Sequence, residues 1–155
     1  MRFVLIGLLT GCGWLPSDSP AAPKAPLPDP DVTAITHAWK VDRHVLGIRT
    51  TMSEQDAIAL HGRTVMLTST GYTTPWHGTC EEAKRVKSTT TLVEVTADVD
   101  VSPDGRARLK EFGLAKELTE YTLTCIVTKA PPLTIWLSGN RAMTCFGGVC
   151  YLMSY

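Results

Sequence analysis

The chain has no excess charge of either sign. Across 155 residues, fifteen Lys and Arg stand against fifteen Asp and Glu. Without a net field it has no general electrostatic hold on nucleic acid or on an anionic surface. It also has no apolar run long enough to cross a bilayer, which takes about 20 residues; the longest, residues 3–9, stops well short. No G-x-S-x-G, P-loop or dinucleotide fingerprint occurs. The four histidines, His37, His44, His61 and His77, form no H-x-x-x-H or H-E-x-x-H pattern. No recognisable catalytic, cofactor or metal motif results, and the expectation is a non-enzyme with neither cofactor nor metal. The chain is not a disordered polymer, because 44% of it is hydrophobic.

What is present starts at the N-terminus. Residues 1–12 read MRFVLIGLLTGC. Arg2 supplies a positive end, residues 3–9 a short apolar stretch, and Thr10 and Gly11 the small residues before Cys12, which is the plan of a secretory signal. Residues 15–31 then carry six of the ten prolines. Proline fixes φ and removes a donor, so neither helix nor sheet ladder can form. A spacer biased to polyproline II, advancing roughly 3.1 Å per residue, is expected. The division expected is a signal over 1–11, Cys12 and a linker over 12–32, and a β-rich globular domain over 33–155.

Within that domain the longest period-2 pattern is 91–101. Val93, Val95, Ala97, Val99 and Val101 alternate with Glu94, Thr96, Asp98 and Asp100, predicting a half-buried strand. Glu94, Asp98 and Asp100 then form an acidic stripe on a solvated sheet face. Residues 121–128 and 133–138 alternate in the same way, and 141–146 and 149–155 flank Gly147-Gly148, a two-residue hairpin signal. Residues 35–46 and 63–70 are further strands. Two short helices are expected, over 53–60 from a capping-box-like Ser53–Asp56 and over 104–112. The charged segment 81–88 reads as a rim loop. Antiparallel strands with short turns and one apolar face predict a small β-barrel or sandwich. The barrel is favoured because closure removes exposed edges. An interior packed with Val93, Val95, Leu123 and Ile135 would leave no room for a small ligand.

Five cysteines leave one over unless one has another use. If Cys12 is modified, the remaining four can pair fully in an oxidising compartment. Across Gly147-Gly148, Cys145 faces Cys150 at a non-hydrogen-bonded site, where Cα atoms sit about 4.5 Å apart. That leaves Cys80 for Cys125. A redox reading lacks the C-x-x-C spacing, and a metal set of His77, Cys80, Cys145 and Cys150 has no standard zinc spacing.

Residues 72–80, YTTPWHGTC, place Tyr72, Trp76 and His77 in a loop tied by Cys80. This is the candidate binding loop. The competing reading folds Trp76 onto the end of the core.

The stretch Leu9-Thr10-Gly11-Cys12 resembles the lipobox of bacterial lipoproteins. The resemblance implies lipidation of Cys12 and removal of residues 1–11. Alternatives for the same residues are a plain cleaved signal peptide or a buried N-terminal strand with a free thiol. Gly13, where an Asp would favour the inner membrane, implies the outer membrane facing the periplasm. The partners implied are the membrane, through the lipid, and a protein or envelope component. The segments SEQDAIALHGRTVMLTS, YTLTCIV and MTCFGGVCYLM resemble small uncharacterised exported proteins of Gram-negative bacteria, a family that implies no activity. Lipoprotein inhibitors of lysozyme share the plan of anchor, disulfides and compact barrel. The expected function is therefore a membrane-anchored, non-enzymatic binding module; the alternative is an inhibitor of an envelope-directed hydrolase such as lysozyme.

Overall fold

The computed structural model describes residues 35–155. The expected signal over 1–11, the lipidation site Cys12, all of the expected linker over 12–32 and residues 33–34 of the expected domain lie outside the described part. Nine strands form one antiparallel sheet. They are β1 (Ala38–Leu46), β2 (Thr64–Leu67), β3 (Tyr72–Thr74), β4 (Gly78–Cys80), β5 (Ala83–Thr91), β6 (Glu117–Cys125), β7 (Leu133–Ser138), β8 (Arg141–Phe146) and β9 (Val149–Ser154). Their order across the sheet is β4-β3-β2-β1-β9-β8-β7-β6-β5. Three short helices lie wholly within the described residues: α1 (Glu54–Ile58), α2 (Leu92–Asp98) and α3 (Pro103–Glu111).

The two ends of that order nearly meet. Every neighbouring pair is antiparallel, so β4 and β5 both run opposite to β1. Only Glu81-Glu82 separates them. They act as one bent rib whose first part pairs with β3 and whose second part pairs with β6. The result is an almost closed meander barrel. Its seam is tied by the Cys80–Cys125 disulfide, with Cα atoms 5.8 Å apart, and by Ala83 N–H donating to Thr70 O at 2.8 Å. The Arg85 guanidinium also reaches across to the Thr68 carbonyl.

Two cores result. The inner one fills the barrel with Trp39, Leu67, Tyr72, Leu123, Ile135 and Tyr151, all essentially without exposure. The outer one lies between the sheet and helices α2 and α3, where Leu92, Val95, Leu109 and Phe112 meet Met143 and Leu152. Strand β9 alternates between them: Val149, Tyr151 and Met153 face inward, and Cys150 and Leu152 face the helices. It therefore reads as a continuous apolar run, as expected of a strand buried on both faces. Helix α3 comes close enough to do this because residue 105 is Gly. A Cβ there would stand 2.6 Å from Val101 Cγ1 and 2.7 Å from Val45 Cγ1.

The expected mainly β, antiparallel barrel is present, with both expected disulfides; Cys145–Cys150 bridges the β8–β9 hairpin with Cα atoms 4.0 Å apart. Gly147 and Gly148 take φ of +62° and +77°, as a two-residue hairpin with both central residues left-handed requires. Four local expectations are corrected. Residues 91–101 are not a strand but the capped helix α2 and the turn after it. Residues 81–88 are mostly the edge strand β5, not a rim loop. Residues 72–80 are the hairpin β3–β4 rather than an open loop. Of the four residues expected inside the barrel, Leu123 and Ile135 are there. Val95 instead lies in the outer core, and Val93 is 68% exposed.

The reason for the helix is local. Thr91 Oγ1 accepts from Glu94 N–H while Thr91 N–H donates to Glu94 Oε2 at 2.8 Å, a complete capping box. Leu92, Val95 and Thr96 are buried, and Val99 packs partly against them. That i, i+3, i+4, i+7 spacing is a helical stripe as well as part of an alternating run. The acidic stripe disperses accordingly. Glu94 becomes the cap partner, and Asp100 sits at φ +52° in the turn, pairing with Arg49 at 3.1 Å.

Candidate functional site

The residues expected to form a binding loop are spread between core and surface. Tyr72 is buried in the barrel, with no hydrogen-bond partner for its hydroxyl, and burial pushes that phenol above its ordinary value. Trp76 is half-buried and stacks on Phe146 at 5.6 Å and on Tyr151 at 5.2 Å. His77 meets Phe146 edge-on at 5.1 Å, and burial holds its imidazole below its ordinary value. The stacked indole closes one end of the inner core. Pro75, Gly78 and Thr79 are the exposed positions of the hairpin.

A titratable chain that the sequence motifs did not suggest lies at the other side of β1. His44 Nδ1 is 2.8 Å from His61 Nε2, and His44 Nε2 is 3.2 Å from Glu54 Oε1. Strand β1 supplies His44, α1 supplies Glu54, and the turn after α1 supplies His61. A carboxylate only accepts, so His44 donates to it through Nε2 and accepts from His61 through Nδ1. Burial and the neighbouring His44 hold His61 below its ordinary value, against the opposing pull of Glu54 and Asp42. Beside this chain a polar cavity of about 220 Å³ is lined by His44, Glu54, Ser102, Asp104 and Arg108. Ser102 is already committed, accepting from Gly105 N–H at 3.0 Å as the N-cap of α3. Spacings of 17 and 10 residues place these groups on three separate elements, so no local pattern could have announced them.

A larger cavity of about 710 Å³ opens between α2 and α3 on the outside of the barrel. Leu92, Val93, Ala107 and Leu114 supply apolar surface, and Arg106, Lys110 and Lys116 supply three cations. Arg106 Nη1 donates to Val101 O at 2.9 Å, which anchors that side chain at the groove. Lys116 is placed by its own carbonyl, which accepts from Leu92 N–H at 2.9 Å at the start of α2.

Among the described residues, no group of three or more His, Cys, Asp or Glu is arranged to hold a metal ion. No described helix is long and apolar enough to cross a membrane. The chain matches no family model, no curated protein and no solved structure.

Proposed function

We propose that this chain is a lipid-anchored binding module of the bacterial cell envelope, held through Cys12 and acting without catalysis. It faces the periplasm from the outer membrane and binds an envelope component on the outside of its barrel. The observation that carries this reading is that side chains fill the barrel while a groove of about 710 Å³ stays open between α2 and α3. Cavities of that size fall in the range used for small ligands. The four paired cysteines support an oxidising compartment and leave Cys12 as the odd one, in its lipobox-like setting. The His44–His61 contact supports a non-catalytic role, because each of these imidazoles spends a nitrogen on the other.

The alternative, inhibition of a hydrolase such as lysozyme, would present residues 72–80 to an active-site cleft. It has less support, because Trp76 is engaged with Phe146 and Tyr151. Metabolic labelling with a fatty-acid analogue tests the anchor. Label is expected on the full chain and is expected to vanish with Cys12→Ser. An unlabelled wild-type chain would overturn the anchored reading. Inhibition of lysozyme by the purified chain, lost on substitution of Pro75 and His77, would favour the alternative instead.

A further inference from the structure

The geometry points to a specific occupant for the groove between α2 and α3: the acyl chain and head group of a single-chain anionic lipid, a long-chain fatty acid. This deepens the binding-module reading and rests on it. The groove offers an occupant two kinds of contact. Leu92, Val93, Ala97, Pro103, Ala107 and Leu114 present carbon. Val93 does so while 68% exposed. The remaining lining is cationic apart from Thr96, and the Thr96 hydroxyl is already donated to Val93 O at 3.0 Å.

That inventory discriminates between ligand classes. A sugar or an extended peptide brings many donors and acceptors, and burying them against this floor would leave them unmatched. A hydrocarbon chain brings none. Its single charge must then meet the rim, and the rim is uniformly positive. Arg106 and Lys110 lie four residues apart on one face of α3, a repulsive spacing for like charges. Lys116 adds a third cation to the same cavity. Among the described residues, neither Lys110 nor Lys116 has a carboxylate within ion-pair distance. Lys110 in the last turn of α3 suits the helix dipole on its own account. Arg106 is held at the groove by its hydrogen bond to Val101 O, and Lys116 brings a further cation with no such local reason to be there. A carboxylate seated among the three would relieve their mutual repulsion while its chain covers the carbon floor.

The test is calorimetric titration of the full chain carrying Cys12→Ser, purified without detergent and delipidated, with palmitate. Hexadecanol serves as the uncharged match and acetate as the head group without a chain. Palmitate is expected to bind about tenfold or more tighter than hexadecanol, with acetate not binding. Lys110→Glu with Lys116→Glu is expected to weaken palmitate about tenfold and leave hexadecanol unchanged. Both lysines are exposed, so that variant is expected to fold cooperatively, with a melting temperature lowered only slightly by the reversed charge in the last turn of α3. Ala107→Trp is expected to fill the groove and remove binding of both chains. Equal affinity for palmitate and hexadecanol, indifference to the lysine reversals, or displacement of palmitate by an acidic amphipathic helical peptide would each overturn the proposal. Absence of binding by the Cys12→Ser chain, while the wild-type chain is labelled at Cys12, would remove this occupant and leave the anchored reading standing.

Discussion

His44 and His61 are joined ring to ring, with Nδ1 of the first 2.8 Å from Nε2 of the second. The far nitrogen of His44 meets Glu54 Oε1 at 3.2 Å. One hydrogen bond therefore ties β1 to the turn after α1, and the next ties β1 to α1 itself. The contact requires at least one neutral ring, since two fully protonated imidazoles would face donor to donor.

Stability should accordingly depend on pH through His61. Its folded-state value lies below the ordinary 6.5, mainly from burial. The unfolded chain thus binds the proton first as pH falls. The contribution is complete above the unfolded value and is lost as pH drops through the lower folded one. Melting temperatures measured between about pH 8 and pH 5 should fall more steeply for the wild type than for His61→Gln. Identical profiles would remove His61 as the source. Imidazole ¹⁵N NMR near neutral pH should find His44 protonated at Nε2, the tautomer that Glu54 demands.

Thr91 decides the state of the segment that follows it. Thr91→Ala removes the hydroxyl that accepts from Glu94 N–H and donates to Glu94 Oε2 at 2.8 Å. A cost of about 1 kcal/mol in urea unfolding is expected. The Glu94 carboxyl, held below its ordinary value by hydrogen bonds from Thr91 and Thr90, should move back up in the variant, as read by carbon-detected NMR titration.

The two disulfides should contribute unequally. Cys80–Cys125 spans 45 positions and Cys145–Cys150 spans 5. On the loop-entropy argument these are worth about 4 and about 2 kcal/mol respectively. Paired Cys→Ser variants compared by denaturant unfolding should reproduce that order. The long bridge also ties the barrel seam, so its loss should speed amide exchange in β4 and β5 before the rest of the sheet.

Trp76 is predicted to matter for folding rather than recognition. Trp76→Ala removes the stack on Phe146 and Tyr151 and should destabilise by about 2 kcal/mol, because the indole is half-buried. Palmitate affinity should stay at the wild-type level, since the indole packs on the inner core and the groove lies outside. A loss of binding with unchanged stability would return residues 72–80 to consideration as the recognition surface.

Much of the fold was legible along the chain, and the exceptions have a common cause. The β8–β9 hairpin was readable because Gly147-Gly148 fixes its register, and the register in turn pairs Cys145 with Cys150. Strand β7, helix α1 behind Ser53 and helix α3 behind Ser102 were equally local matters. Residues 91–101 misled because Val95 and Val99 belong both to the alternating run and, with Leu92, to a helical stripe. The Thr91–Glu94 capping box was the overlooked signal that favoured the helix, and a place on the outer face of the sheet completed the choice. Residues 81–88 looked like a loop because a charged edge strand buries little. Pairing with β6 makes them a strand, and that partner lies more than thirty residues away.

The candidate sites divide along the same line. Composition and spacing determined the antiparallel class, the pairing of Cys145 with Cys150 across its hairpin and the places where the chain must turn, because turns and hairpin contacts are made by near neighbours. Only the tertiary structure decided that β4 and β5 close the barrel as one rib, that Trp76 serves the core, and that Glu54, His44 and His61 touch. It alone brought Arg106, Lys110 and Lys116 around one apolar groove. Such gatherings depend on packing between elements distant along the chain, and no local periodicity records them.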